Sequence, residues 1–396
     1  MAGGLAVIET HPVQYHAPVF RQVEQEYGLP VTAIYGSDFS VSGYRDQEFG
    51  VDIAWDTDLL SGYRQRFLAR VASGGARTLG EVSARGLFNA LKEVQPAAVM
   101  LQGYSPAFNR AAIRAGLRLG RPLLFRAETT DHARARGPVL ALTRRVVLSL
   151  MYRSFDRLLY IGTRSREHYE RLGVTPERLV FSPYCVDTTS FQTGEEERDA
   201  LRTKGRMELH IPTGRHVLLF SGKLTARKGG HLIVEAVRRL SPSDRSNTTI
   251  VFLGDGDQRQ FLKAASEDRP AVDIRIVGFR NQTELSRYFH AADALVLPSC
   301  YAETWGLVVN EALHHGLPCV ISEAVGCLPD LLTPSVTGEI CQTADVESLG
   351  EAIRRVRRLR DSRLVRDQCR ARASQFSLGR AAAGIRDAFA SVVTSA

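Results

Sequence analysis

Two glutamates have the type and spacing expected of residues that bind an extended polar ligand. Glu303 and Glu311 stand eight residues apart in LVLPSCYAETWGLVVNEALHHGLPCV, residues 295–320, with Gly306 between them. One carboxylate can accept two hydroxyl hydrogen bonds, as binding of a sugar or a ribose requires. Eight helical steps would separate the pair by about 12 Å along the axis. The spacing therefore predicts contacts with different parts of one ligand; the alternative is two solvent-facing glutamates beside a helix.

Two lysines in the segment FSGKLTARKGG, residues 220–230, have the chemistry of a diphosphate site. Only five of the 51 basic residues of the chain are lysines, and Lys223 and Lys228 lie five apart in this glycine-containing loop. Gly222 permits a tight turn after a strand, and the following helix begins with unpaired amides that favour an anion. The segment predicts a diphosphate site; the alternative is a strand-to-helix turn with solvated lysines.

The sequence predicts no metal site and no cofactor. Asp255 and Asp257, in VFLGDGDQRQ, could bind a divalent cation. Two carboxylates alone are too few ligands for such an ion, and a turn before a helix explains the same residues. The six cysteines lack CxxC spacing, which favours buried reduced thiols over a metal centre or a disulfide framework.

The elements that must position these residues alternate between short apolar runs and amphipathic stretches, which predicts an α/β fold with doubly wound parallel sheets. At 396 residues the chain is too long for one core. We predict an N-terminal domain over residues 1–190, a linker over 191–214, where the periodic pattern is lost, and a C-terminal domain over 215–376. A helix over 377–396 could cross back onto the first domain.

The basic residues are unevenly distributed, and this bears on partners and location. The net charge is +8, and residues 110–171 alone contain fourteen basic and five acidic residues. No leader peptide and no 18-residue apolar run is evident, so we expect a cytoplasmic protein without a nucleic-acid partner. Peripheral contact with the inner membrane face, through the apolar, arginine-bearing stretch 138–155, is a separate hypothesis. The sequence does not indicate the oligomeric state.

The pattern PS…E..GL…EA..HGLP, preceded by GK….KGG and a GDG turn, resembles the family-4 retaining glycosyltransferases of GT-B fold. The resemblance is strongest over residues 216–345. It implies two Rossmann-like domains that face a central cleft, with an acceptor on the first and a nucleotide sugar on the second.

The resemblance also implies roles for residues of the second domain. Lys223 and Lys228, after Gly222, would bind the donor diphosphate, and Glu303 would hold hydroxyls of the donor sugar. The remaining implied contacts are Gly306 and Leu307 with the phosphates, Glu311 with the ribose, and Gly278 and Phe279 with the base. No residue is expected to bind a metal.

The first domain departs from the family pattern. The place of a histidine that many members use in catalysis falls on Glu128, with Arg126 before it and His132 after it. Any of these three could meet the sugar. The segment THPVQYHAP replaces a glycine-rich loop, and its His11, Gln14 and His16 are further acceptor-side candidates.

The function implied is a retaining, metal-independent hexosyltransferase-type glycosyltransferase. We expect a UDP-sugar donor first and GDP-mannose second, and an acceptor hydroxyl on a sugar, a lipid-linked sugar or a natural-product aglycone. The alternatives are another GT-B enzyme that acts on sugar nucleotides, such as an epimerase, and a sugar-nucleotide-binding protein without catalysis.

Overall fold

A computed structural model describes residues 3–45, 52–53, 57–131, 137–268 and 271–393 of the chain. Two parallel sheets dominate it, one in each half, which confirms the predicted fold class. Within this described part, no helix is long and apolar enough to cross a membrane.

The first sheet has seven strands in the order β5-β2-β1-β6-β7-β8-β9, and all neighbouring pairs are parallel. The strands of this half, including a separate antiparallel pair β3 and β4, are β1 (Leu5–Glu9), β2 (Val31–Tyr35), β3 (Tyr44–Arg45), β4 (Asp52–Ile53), β5 (Arg64–Phe67), β6 (Ala98–Leu101), β7 (Leu123–Arg126), β8 (Arg157–Tyr160) and β9 (Leu179–Phe181). Its helices are α1 (Ala17–Tyr27), α2 (Leu87–Val94), α3 (Ala107–Leu119), α4 (Pro138–Tyr152) and α5 (Thr163–Arg171).

The second sheet has six strands in the order β12-β11-β10-β13-β14-β15, again all parallel. They are β10 (His216–Ser221), β11 (Thr248–Leu253), β12 (Asp273–Gly278), β13 (Ala294–Leu297), β14 (Cys319–Ser322) and β15 (Gly338–Cys341). The helices from residue 195 onward are α6 (Glu195–Glu208), α7 (Gly230–Arg238), α8 (Pro242–Ser246), α9 (Arg259–Ala265), α10 (Leu285–Ala291), α11 (Leu307–His314), α12 (Leu328–Leu331), α13 (Val346–Val356), α14 (Arg363–Ser374) and α15 (Leu378–Val393).

In both sheets the chain reverses its direction of winding beside the first strand of the half. Strand β1 pairs with β2 on one side and β6 on the other, and β10 pairs with β11 and β13. In open α/β sheets, ligands bind outside the carboxyl ends of the strands at such a switch point. A ligand is therefore expected to bind at the loops after β1, β10 and β13.

The segment between the sheets is helical where the sequence lacks a periodic apolar pattern. Helix α6 packs against α10 of the second domain, and its Arg202 and Arg206 donate to both oxygens of Asp293, at 2.5 and 2.9 Å. Ion pairs with a buried carboxylate, rather than an apolar stripe, hold this helix in place, which is why its sequence does not look helical by hydrophobic period.

The final helix returns to the first domain. Ala382, Ile385 and Ala388 of α15 join Val7 and Val19 in the core on one face of the first sheet. The Ser182 hydroxyl, just after β9, donates to the Ala381 carbonyl at 2.9 Å. The other face of that sheet is covered by α2, α3, α4 and α5.

Candidate active site

A cleft of about 410 Å³ lies between the two sheets and is lined from both halves of the chain. From the first half come Gln14, Tyr15, Glu128 and Tyr184, and the remaining lining residues follow the strands of the second sheet. This places loops after the carboxyl ends of β1, β7, β10, β12 and β13 around one space, as the switch-point rule predicts.

On the second-domain side of the cleft, a polar contact joins Lys228 to Glu303. The Lys228 Nζ lies 2.5 Å from Glu303 Oε2, which also accepts from the Ser299 hydroxyl at 2.9 Å. Arg227 Nη1 lies 4.0 Å from the same oxygen. Glu303 is buried, so its orientation is fixed by these donors, and the structure brings the predicted lysine and glutamate together.

Gly229 explains how the lysine turn comes so close to strand β13. The turn Ala226–Lys228 ends at Gly229, whose φ is +74°, and a Cβ there would lie 2.3 Å from the Pro298 carbonyl oxygen. Only glycine fits this conformation and this approach. The KGG sequence is thus the local reason that Lys228 reaches Glu303.

The N-terminus of α11 opens onto the cleft beside this pair. Gly306 precedes the helix with φ of +99°, and a Cβ there would lie 2.9 Å from Val325. Leu307 and Val308, in the first turn, line the cleft. First-turn amides lack intrahelical partners and carry a partial positive charge, so this end can receive an anion.

Glu311 sits one turn further along α11 and faces the same cleft. Its side chain is largely surrounded by protein, and burial raises its pKa to about 7. Gln282 Nε2 donates a long hydrogen bond to Glu311 Oε1, at 3.4 Å. A hydroxyl-bearing ligand that donates to Glu311 would supply the partners that the ionised carboxylate needs.

The other predicted donor-side residues also lie at this edge. Gly222 and Lys223 follow β10, and Phe279 follows β12, and all three line the cleft. Gly278 is buried at the end of β12, where its carbonyl accepts from the Gly254 amide at 2.9 Å. This hydrogen bond fixes the backbone just before Phe279.

On the first-domain side, Glu128 faces the second domain directly. Its carboxylate accepts from the Thr304 hydroxyl, next to Glu303. Burial, and after it the nearby Glu128 carboxylate, raise the pKa of the Tyr184 hydroxyl. The Tyr184 ring packs edge-on against Trp305 of the second domain, with centroids 6.2 Å apart. Glu128 and Tyr184 therefore connect the two walls of the cleft.

A buried polar chain continues behind Tyr184. His16 Nε2 lies 3.2 Å from the Tyr184 hydroxyl, and His16 Nδ1 lies 2.6 Å from Glu9 Oε1. His16 is buried and is not part of the cleft lining, although it contacts a residue that is.

Two of the remaining acceptor-side candidates, Arg126 and His11, do not line the cleft. Arg126 is fully buried and donates to the Ser182 hydroxyl and the Pro183 carbonyl, at 3.0 and 2.8 Å. His11 stacks on Phe39 with centroids 4.4 Å apart, and burial lowers its pKa to about 4. Gln14 lines the cleft, and His132 lies outside the described residues.

Several further polar or aromatic residues line the cleft without having been predicted, among them Arg227, Gln282, Thr304 and Trp305. Trp305 is held by a bond from its Nε1 to Asn310 Oδ1 at 2.8 Å. Thr304 and Trp305 directly follow Glu303, so their position in the motif was a usable signal. Gln282 offers no sequence signal, because it precedes α10 and reaches Glu311 only through the fold.

The described residues contain no group of three or more His, Cys, Asp or Glu side chains suited to a metal ion. Asp255 accepts from Arg259 Nη1 at 2.6 Å and from the Gly256 amide at 2.9 Å. These contacts are those of a turn before α9.

The architecture of two doubly wound domains facing a cleft is the GT-B fold of glycosyltransferases. The structure of HepE from Anabaena in complex with UDP is similar at a TM-score of 0.73 and 16% identity, over 98% of this chain and 100% of that one. Sucrose-phosphate synthase from Thermosynechococcus elongatus gives 0.72 and 17%, over the whole of both chains. At these identities the likeness concerns the fold.

Two family models match the chain. One described as "Glycosyl transferases group 1" matches residues 202–375, and one described as "Glycosyl transferase 4-like domain" matches residues 40–185. Together they cover most of the chain, which belongs to the family-4-like glycosyltransferases. The resemblance found in the sequence motifs is confirmed.

Curated relatives match over part of their length. Glycogen synthase of Mycobacterium tuberculosis is 33% identical over 239 residues, which are 59% of this chain and 54% of that protein. D-inositol 3-phosphate glycosyltransferase 1 of Catenulispora acidiphila is 30% identical over 191 residues, 46% of this chain and 44% of that protein. The chain thus spans about half the length of the relatives it matches.

Proposed function

We propose that this protein transfers a sugar from a nucleoside diphosphate sugar to an acceptor hydroxyl, with retention of anomeric configuration. The observation that carries the proposal is the contact of Lys228 with Glu303 beside the N-terminus of α11, in a cleft closed on its far side by Glu128. A cation, free amides and a hydroxyl-accepting carboxylate are the groups that a diphosphate sugar requires.

The charged groups of the cleft match the charges that develop when the anomeric bond of the donor breaks. When the anomeric bond of the donor lengthens, negative charge grows on the diphosphate and positive charge on the sugar ring. Lys223, Lys228 and the α11 amides would stabilise the first, and Glu128 and Glu303 the second. The leaving phosphate would assist removal of the proton from the acceptor hydroxyl, and cations of the chain would replace a divalent metal.

The donor side divides the ligand among the residues of one sheet edge. We assign Glu303 to hydroxyls of the sugar, Gly306 and Leu307 to the phosphates, Glu311 to the ribose, and Phe279 to the base, with Gly278 as the support of the Phe279 backbone. The HepE structures hold UDP and UDP-glucose, which supports a UDP-sugar as first choice; GDP-mannose is second. The acceptor classes are a sugar, a lipid-linked sugar or a natural-product aglycone.

The test is release of nucleoside diphosphate from a panel of UDP- and GDP-sugars, with and without hydroxyl acceptors. We expect release that depends on acceptor and continues in EDTA. The Lys228→Ala variant should lose roughly a hundredfold to a thousandfold in kcat, because it removes a cation aimed at the developing charge.

Lys263→Ala is the matched control, since Lys263 is an exposed lysine on α9 of the same domain. Its rate should equal that of the wild type. Full activity of Lys228→Ala would refute the assigned role. Conversion of the donor sugar without any acceptor would indicate an epimerase, and nucleotide binding without release would indicate a binding protein.

A further inference from the structure

The outward side of α4 is apolar to a degree that burial within this chain does not explain. Six of its aliphatic side chains are between 52% and 79% exposed: Val139, Leu140, Leu142, Val146, Val147 and Leu150. Val139, Val146 and Leu150 recur at the helical spacing that places them on one face. Contiguous exposed apolar surface of this kind marks an interaction site more often than it occurs by chance.

The opposite side of α4 is fixed to the first domain, so the apolar face cannot turn inward. Leu148 and Tyr152 are buried in the core beneath the helix. Arg144 Nη1 donates to Asp131 at 3.0 Å, and the Ser149 hydroxyl donates to the Leu172 carbonyl at 3.0 Å. Polar and apolar contacts therefore hold helix α4 against the first domain, and its exposed apolar face is directed to solvent.

The charge around this face favours an anionic bilayer over a second copy of the chain as the partner that covers it. Helices α3 and α4, which cover the same face of the first sheet, contain five arginines and no acidic residue. Arg110, Arg114 and Arg118 on α3 and Arg145 on α4 are exposed. A second copy of the chain docked on this face would bring like charges together, whereas an anionic bilayer offers both an apolar layer and negative headgroups.

We propose that α4 docks the protein on an anionic phospholipid surface, with the six aliphatic side chains in the interfacial layer and the arginines at the headgroups. The docking helix directly follows the segment that carries Glu128 to the cleft, and the contact of Arg144 with Asp131 joins the two. Resting on the proposed function, this position favours an acceptor carried by a lipid over a free sugar.

Co-sedimentation of the full chain with vesicles tests the docking without any measurement of transfer, so its failure and that of the proposed function are distinguishable. We expect binding to vesicles that contain phosphatidylglycerol, and little binding to phosphatidylcholine alone. In about 1 M salt, where the Debye length falls to about 3 Å, the phosphatidylglycerol-dependent part should be lost.

The triple variant Val139→Ser, Val146→Ser, Leu150→Ser should weaken vesicle binding at least tenfold, and Arg145→Glu should weaken binding to anionic vesicles selectively. The matched control is Met207→Ser, Phe261→Ser, Leu364→Ser, which removes three exposed apolar side chains from the second domain. Its vesicle binding should equal that of the wild type, and all four proteins should unfold at similar temperatures because the changed side chains are exposed.

Three results would overturn the proposal. The first is absence of wild-type binding to anionic vesicles, and the second is equal binding by the α4 triple variant. The third is a dimer in sedimentation that the α4 substitutions dissociate, since that would assign the face to a second copy of the chain.

Discussion

On the second-domain wall of the cleft, side chains from different strand ends meet at the surface, whereas on the first-domain wall most polar side chains are buried behind it. Lys228 reaches Glu303 across two loops, and Glu311 faces the same space. Opposite them, Glu128 is exposed to the cleft, but Arg126 and His16 are buried among their own partners.

The two walls keep their shapes by different means. The second-domain wall is fixed by glycines that permit close backbone approach, as at Gly229 and Gly306, and its charges are left facing the cleft. The first-domain wall is fixed by a hydrogen-bonded chain from Glu9 through His16 to Tyr184, and Glu128 is held by the Thr304 hydroxyl. One wall is organised to bind charge, and the other to hold a single carboxylate in position.

The largest effect expected on the first-domain wall is the loss of stability when the buried Arg126 is replaced. Arg126→Met should lower the free energy of unfolding by about 3 kcal/mol, because it leaves the buried Ser182 hydroxyl and Pro183 carbonyl without their donor. Urea unfolding measures it. Arg114→Met, at an exposed arginine of α3, should unfold like the wild type. Unchanged stability together with lost transfer would place Arg126 in the reaction instead.

Glu128 provides the next test, on catalysis rather than stability. Glu128→Gln keeps the shape of the side chain and removes its charge, so transfer should fall by roughly a hundredfold while the unfolding temperature stays close to that of the wild type. The control Glu167→Gln changes an exposed glutamate of α5 and should have full activity. A wild-type rate for Glu128→Gln would mean that the first-domain wall only shapes the cleft.

The smallest effect concerns Glu311 and pH. Burial raises its pKa from 4.5 to about 7, so the folded protein holds this proton more tightly than the unfolded chain. Its contribution to stability is therefore complete below about pH 4.5 and is lost as the pH rises through about 7. Ribose hydroxyls need the ionised form as acceptor, so nucleotide affinity should change in the opposite direction.

Calorimetry with UDP at pH 6 and pH 8 measures this linkage. We expect affinity to rise about tenfold across this range through ionisation of Glu311. The diphosphate titrates nearby as well, so the informative quantity is the difference between the wild type and Glu311→Gln. Identical pH profiles for the two proteins would show that Glu311 does not bind the ribose.

The strands and the second-domain edge could be predicted because both depend on local sequence. Predominantly apolar runs mark the positions of β1, β2 and β10. Strand β5 could not be predicted from hydrophobicity, because its sequence RQRF has no apolar run and it lies at the edge of the sheet. Helix α6 was missed because its contacts are ion pairs made by residues that look like a solvated linker.

The first-domain wall could be predicted only in part, because its geometry depends on distant residues. The choice among Arg126, Glu128 and His132 could not be made from spacing: successive side chains along β7 and the loop after it point in different directions. Only the fold shows that Arg126 points back to residues 182–183 while Glu128 faces Thr304. Likewise, the sequence around His16 does not indicate that its ring is hydrogen-bonded to Glu9 and Tyr184.

The return of α15 to the first sheet has a consequence for how the chain is made. Ribosomes deliver the first domain early, and domains usually fold in that order. Here helix α1 covers part of the apolar face that contains Val7, and the rest of the face cannot be covered until Ile385 and Ala388 have been synthesised. The core of the N-terminal half therefore lacks its α15 side chains until the whole second domain has been translated.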